Sequence, residues 1–323
     1  MDYRKLGRSG LKVSPICLGG NVFGWTIDQT DSESVLDTFV GGGGNFIDTA
    51  DIYSRWIEGH VGGESEGVIG TWLSRRKNRS DVVIATKVAG AMGTGPNSSG
   101  LSRLHILSAV DESLRRLNTD YIDLYQTHFD DPSTPLDETL GALDHLVRSG
   151  KVRYIGASNY SAWRLTKALW TSDKDNLVRF ESLQPNYNLV DRSGYENELE
   201  PLALDQGLGV IPYFSLAAGF LTGKYQKGQP LPDTPRAAGV QKKYMNDRGF
   251  QVIDALKSIA KGRSVNPGQV ALAWLIARPS ITAPIASATS PAQTKDLLGA
   301  AELMLSEAEI KQLDDASAPA KGD

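Results

Sequence analysis

Gly41-Gly42-Gly43-Gly44-Asn45-Phe46-Ile47-Asp48 is the stretch on which the fold of this 323-residue chain turns. Four glycines in a row invite comparison with a phosphate-binding loop. Such a loop follows a strand and opens a helix, as the Gly-x-Gly-x-x-Gly turn does in a doubly wound dinucleotide-binding sheet. Here the order is reversed. The helical pattern Asp31–Val40 comes before the glycines, and the apolar pair Phe46-Ile47 comes after them. The glycines read as a helix stop, where a residue can turn left-handed at little steric cost. No Gly-x-Gly-x-x-Gly follows the first short apolar run either, so an open doubly wound sheet is disfavoured.

Outward from this point, short apolar runs alternate with longer helical patterns. The runs are Ile16–Leu18, Phe46–Asp48, Val82–Lys87, Ile122–His128, Tyr154–Ser158, Glu181–Gln184, Val210–Tyr213 and Ile281–Ile285. Between them lie Asp31–Val40, Glu64–Arg75, Arg103–Leu117, Leu136–Ser149, Ala162–Trp170, Glu198–Gln206 and Pro267–Ala277. Alternation of this kind implies parallel strands joined by right-handed crossovers, and eight such units close into a barrel. The expected fold is an α/β (β/α)8 TIM barrel forming one domain over residues 1–323. Tyr3–Leu6 against Leu11–Val13 reads as an N-terminal hairpin plugging the barrel bottom. Ser306–Ala316 reads as an extra C-terminal helix, opened by a Ser306-x-x-Glu309 capping box.

Composition narrows the function. Hydrophobic residues at 40% can fill a large core, and a net charge of -4 without a basic stripe argues against a nucleic-acid partner. The single cysteine, Cys17, lies in an apolar run and cannot form an internal disulfide or a cysteine metal cluster. With no apolar leader and no membrane-length apolar run, the expected location is cytoplasmic, as a monomer or small homo-oligomer.

Functional residues of such a barrel collect at the C-terminal ends of its strands. Those ends are polar here: Asp48, Lys87, His128, Ser158-Asn159, Gln184 and Tyr213. Tyr53 follows Asp48 on a loop short enough to fold back over the mouth. Together they suit carbonyl reduction. A phenol can give a proton, an ammonium beside it lowers its pKa, a carboxylate keeps the ammonium charged, and an imidazole orients the substrate oxygen. Each residue alone could be structural; their joint placement on consecutive strand ends carries the reading.

Five segments resemble the aldo-keto reductase family. They are Phe46–Tyr53, Gly63–Glu66, Ala85-Thr86-Lys87, Asp120–His128 and Gly150–Asn159, while Tyr213–Lys224 and Pro284–Asp296 resemble its pyrophosphate-side and adenosine-side segments. The nearest pattern is the longer-looped branch that includes potassium-channel β-subunits. The resemblance implies Tyr53 as general acid, Lys87 lowering its pKa, Asp48 pairing with Lys87, and His128 orienting the carbonyl. It also implies a dinucleotide across the barrel mouth, NADP(H) in preference to NAD(H), and no metal. Gly20 and Asn21 match positions near the nicotinamide ribose, Asp48 adjoins them, and Ser158, Asn159 and Gln184 match carboxamide contacts. Tyr213 matches the stacking aromatic. Phe214, Ser215, Leu216, Ala217, Gly219, Lys224 and Arg236 match the pyrophosphate side. Ser287, Thr289, Gln293 and Asp296 match the adenosine side. Two departures concern that end: Ser287 and Gln293 stand where some branches place a Lys and an Arg, and Leu297 replaces an adenine-contacting Asn.

Phe23, Trp25, Trp56, Met92 and Phe129, around Tyr53 and His128, make the expected substrate wall apolar, suited to a small-molecule carbonyl or alcohol. Gly90–Gly100 reads as a mobile lid. Two other functions compete: a nucleotide-binding partner protein of the channel β-subunit kind with weak reductase activity, and a hydrolase using Asp48 and Asp51.

Overall fold

The computed structural model describes residues 1–319. A hairpin, β1 (Arg4–Lys5) and β2 (Lys12–Val13), precedes an eight-stranded sheet. Then follow β3 (Cys17–Gly19), α1 (Gln29–Gly41), β4 (Phe46–Asp48), α2 (Glu64–Arg76), β5 (Val83–Val88), α3 (Arg103–Leu117), β6 (Ile122–Thr127) and α4 (Leu136–Arg148). Next come β7 (Val152–Ser158), α5 (Ala162–Asp175), β8 (Phe180–Gln184), α6 (Ser193–Glu196), α7 (Leu199–Gln206) and β9 (Gly209–Val210). The chain ends with α8 (Ala237–Tyr244), α9 (Asp247–Arg263), α10 (Pro267–Ile276), β10 (Ile285–Ala286), α11 (Pro291–Ala300) and α12 (Glu307–Ala316).

Strands β3 to β9 pair in chain order and β10 pairs with β3, all in parallel. Val210 bridges Ile281, and the Thr282 amide donates to the Val210 carbonyl at 2.8 Å. The sheet thus curls round to meet itself as a (β/α)8 fold. The glycine run does end a helix: α1 stops at Gly41, and Gly43 takes a φ of 88° before β4 begins.

Two apolar layers sit on either side of the sheet. The inner one joins Cys17, Phe46, Val83, Ala85, Leu124 and Ile211 with Leu6 and Val13 of the hairpin, so the hairpin does plug one end of the barrel. The outer one packs the sheet against its helices. Because side chains alternate along a strand, inward positions run Phe46, Asp48; Val83, Ala85, Lys87; and Leu124, Gln126. The inner column is apolar at its lower end and polar at the mouth.

Strands β9 and β10 are shorter than the apolar runs Val210–Tyr213 and Ile281–Ile285. Pro212 and Pro284 have no amide to donate, so the ladder breaks beside them. Tyr213 stands beyond β9 in an isolated bridge to Asn186. The expected C-terminal helix is present as α12, with its Ser306–Glu309 capping box formed. Helix α9, absent from the sequence reading, packs between α10 and α12. Among the described residues, no helix is long and apolar enough to cross a membrane.

Candidate active site

Lys87 lies at the centre of the site. It is fully buried, and its Nζ donates to Asp48 Oδ2 at 2.6 Å, to the Thr49 carbonyl at 2.9 Å and to Tyr53 Oη at 2.9 Å. Three acceptors saturate an ammonium. Burial pulls this ammonium toward neutrality, but Asp48 and Tyr53 together outweigh it and hold Lys87 charged. Asp48 Oδ1 is held in turn by Gln126 Nε2 at 3.0 Å and Gln184 Nε2 at 2.9 Å. The carboxylate is buried yet fully hydrogen-bonded, as such a charge requires.

Tyr53 reaches this centre because the chain after β4 turns tightly, with the Tyr53 amide donating to the Ala50 carbonyl and Ser54 at a φ of 74°. Burial pushes the phenol up to about 12, while Lys87 pulls against that shift. Lys87 thus acts on Tyr53 in the expected direction, through its charge and its hydrogen bond, and loss of water outweighs it. The group is a phenol, not a phenolate, near neutrality.

His128 stands just past β6, its ring centroid 6.0 Å from that of Tyr53. Burial, with Lys87 adding to it, pulls the imidazole down to about 3, so it is neutral. Its Nδ1 is buried with no hydrogen-bond partner.

Asp48, Tyr53 and His128 line one end of a cleft of about 830 Å³, with Lys87 buried behind them. Asn21, Trp25, Asp48, Tyr53, Trp56, His128, Ser158, Asn159, Gln184 and Tyr213 line that end. Phe214, Ser215, Leu216, Gly219, Lys224, Arg236, Ser287, Thr289, Gln293 and Asp296 line the rest. The cleft is also lined by residues the sequence reading passed over, among them Thr222, Asp233, Thr234, Asn266, Gln269 and Leu272. Lys224 and Arg236 face it without an ion pair to any carboxylate among the described residues, and burial lowers both cations. The lining segment is unusual in backbone, with Phe214, Ala217 and Ala218 all at positive φ.

Other expected residues lie elsewhere. Phe23 is wholly buried in the core outside the barrel, since its ring packs among apolar neighbours rather than facing the mouth. Gly20 lies behind the lining, its amide bonded to the Asp48 carbonyl and its carbonyl to Ser65. Ala217 is buried, Met92 packs against Gly62, and Phe129 is 42% exposed beside His128; none lines the cleft. The expected lid is folded on itself instead: Met92 N bonds Ser98 O, Gly100 N bonds Ala89 O, and no residue from 90 to 100 lines the cleft.

Gln126 is the functional side chain the sequence reading missed. The signal was available: counting back two residues from His128 along a strand reaches the next inward position.

Comparison with known proteins agrees with this geometry. Residues 15–318 match the family described as "Aldo/keto reductase family". The chain is 37% identical over 320 residues to an uncharacterized oxidoreductase, YrpG, of Bacillus subtilis, covering 98% of this chain and 95% of that one. It is 36% identical over 310 residues to a probable voltage-gated potassium channel subunit beta of Arabidopsis thaliana, covering 94% and 92%. It is 36% identical over 343 residues to the aldo-keto reductase AMT2 of Alternaria alternata, covering 97% and 90%.

Proposed function

The chain belongs to the aldo/keto reductase family, and from that premise we propose that it reversibly reduces aldehydes or ketones to alcohols with a nicotinamide dinucleotide, with Tyr53 as proton donor. The observation that carries this is the single ammonium of Lys87 bridging Asp48 and the Tyr53 hydroxyl at the floor of the cleft.

The cleft fits a dinucleotide. It has a half-buried aromatic side chain in Tyr213, and it holds two cations, Lys224 and Arg236, without carboxylate partners among the described residues. Cations left unpaired in a partly buried cleft favour phosphate. Lys224 and Arg236 suit the pyrophosphate that NADP(H) and NAD(H) share, and Ser287, Thr289 and Gln293 offer hydroxyl and amide groups at the adenosine end, where NADP(H) carries its extra phosphate. Bound there, the dinucleotide supplies the hydride.

The residues of the chain supply the rest. Tyr53 keeps its proton near neutrality and has it ready to give. Lys87 steadies the phenolate left behind, because its charge lies 2.9 Å from that oxygen. Asp48 keeps Lys87 charged through the cycle. His128 is neutral, so it donates a hydrogen bond to the substrate oxygen and cannot itself be the acid. Trp25 and Trp56, edge to face with centroids 5.6 Å apart, give the substrate end an apolar wall.

Tyr53→Phe is expected to lower carbonyl reduction by at least ~10³-fold, in line with loss of general acid catalysis, and to leave dinucleotide binding within about twofold. Near wild-type turnover in this variant would falsify the mechanism. The likeness to a probable channel subunit beta supports a second reading, a dinucleotide-binding partner protein with weak reductase activity. That reading expects the wild-type protein to bind dinucleotide yet turn over a panel of aldehydes and ketones only slowly.

A further inference from the structure

Asp48 has a second consequence, which runs through Gln126. Gln126 is fully buried on β6, directly beside Lys87 in the β5–β6 register. Its Nε2 donates to Asp48 Oδ1 at 3.0 Å, and its Oε1 accepts from Gln184 Nε2 at 3.1 Å. Gln184 Nε2 also donates to Asp48 Oδ1 at 2.9 Å. A carboxylate can only accept, so both amide groups must turn their nitrogens toward it. The two N–H bonds of Gln184 are then both consumed, one by Asp48 and one by Gln126. The polar atom it has left is Oε1, an acceptor.

The neighbouring side chains are spent in the same sense. Asn159 Nδ2 donates to the His128 carbonyl at 2.9 Å and to Ser158 Oγ at 3.0 Å, using both its N–H bonds. Asn159 Oδ1 accepts from Tyr213 Oη at 2.7 Å and keeps one lone pair. Ser158 Oγ gives its only hydrogen to the Gln184 carbonyl at 2.8 Å. All four of these side chains line the cleft beside Tyr53 and His128, and every N–H or O–H they own is bonded inside the protein. What they offer a ligand is lone pairs.

We propose that Gln126 is a positioning residue: with Asp48 it fixes the amide of Gln184 with its oxygen toward the cleft. This end of the cleft thereby selects a ligand that brings an amide –NH₂ donor. The inference rests on the reading of the cleft as a nicotinamide dinucleotide site, and it adds a polarity to it. A group with a carbonyl but no N–H finds no donor among these side chains, and a carboxylate meets oxygen lone pairs. Without Gln126, one N–H of Gln184 has no partner, and the bond to Asp48 alone is left to orient the amide.

The probes are NADPH and its 3-acetylpyridine analogue, in which a methyl ketone replaces the carboxamide. Dissociation constants are read from quenching of tryptophan fluorescence, with Trp25 and Trp56 lining the cleft. The wild-type protein is expected to bind NADPH about tenfold more tightly than the analogue, the scale of one hydrogen bond made or left unmade. Gln126→Met, similar in length but without an amide, is expected to bring that ratio below about threefold, chiefly by weakening NADPH. Gln126→Asn, a smaller disturbance to packing, is expected to move it in the same direction. A merely structural Gln126 would weaken both dinucleotides alike. Equal binding of the two by the wild-type protein, or an unchanged ratio in a folded variant, overturns the inference and leaves the dinucleotide reading intact. Binding of neither, or of NADH and NADPH only at concentrations far above millimolar, overturns the dinucleotide reading itself.

Discussion

Asp51, two residues before Tyr53, is wholly buried, and neither of its oxygens has a hydrogen-bond partner. Burial raises its pKa well above the usual carboxylate range, and Glu66 raises it further; Arg116, the Ile52 amide and Lys87 pull the other way. Glu66 comes from α2 and already holds Arg116 of α3 at 2.6 Å and Thr86 of β5 at 2.5 Å. Tyr125 of β6, another buried group without a partner, completes the surroundings. A raised carboxyl pKa stabilises the fold below the pKa of the unfolded chain, and that stabilisation is lost as pH rises through the folded value. Asp51→Asn mimics the protonated acid and cannot ionise. Its melting temperature is therefore expected to exceed that of the wild type by a margin that widens as pH rises from 5 to 8; a margin constant over that range sinks the argument. Asp51 also shows where residue-level reading from sequence ends. The motif places it beside Asp48, which suggested a pair of hydrolytic carboxylates, yet it does not line the cleft. Side-chain direction in the loop after β4 depends on a turn that the residue types do not encode visibly. Along the strands the period of two does encode it, which is why Asp48, Lys87 and His128 were legible together.

At the level of elements, α2 and α3 meet at Gly70, where a Cβ would lie 2.1 Å from the Arg116 carbonyl oxygen and 2.7 Å from the Leu117 carbonyl carbon. Gly70 is inside a helix, so propensity alone favours Ala there by about 1 kcal/mol. Overpacking costs about 1–3 kcal/mol when side chains must move, and here the obstacle is backbone, which cannot rotate aside. The clash wins, and Gly70→Ala is expected to lower the midpoint of chemical unfolding with an unchanged slope; an equal or higher midpoint refutes the close approach. The same shift moves Arg116, and with it the clamp on Glu66. Most elements were visible in the sequence because their caps and periods agree, as in α10, with Asn266 and Gln269 in a capping box and Pro267 in the first turn. The misses have physical causes. Pro212 and Pro284 shorten strands whose apolar runs continue past them. Helix α9 carries a clear stripe at Val252, Ile253, Leu256, Ile259 and Ala260 and an Asn246 cap, but a pattern of one strand then one helix leaves no slot for it.

At the scale of the whole molecule, the chain between β9 and α9 crosses the cleft, contributing Lys224, Asp233, Thr234 and Arg236 to its lining. It is tied down from the opposite side of the barrel mouth by Asp191, which follows β8. Asp191 Oδ2 accepts from Tyr244 Oη at 2.7 Å and Lys243 Nζ at 2.9 Å, both in α8. Asn188 binds the same carboxylate and donates to the Phe214 carbonyl at 3.0 Å, so the two ends of the crossing segment are held at one point. Asp191 itself is outside the cleft lining. If the proposed dinucleotide lies beneath this segment, its release requires the segment to move and the Asp191 bonds to break in that motion. Removing them lowers the barrier to opening. Each bond to a charged acceptor is worth about 1.5–3 kcal/mol, although exposed Lys243 contributes less than Tyr244. Asp191→Ala is therefore expected to speed dinucleotide release by about tenfold or more in stopped-flow displacement. If product release limits turnover, reduction at saturating substrate rises as well. An unchanged release rate in a folded Asp191→Ala protein would mean that the segment does not gate the cleft, and that the contacts of Lys224 and Arg236 alone set the residence time.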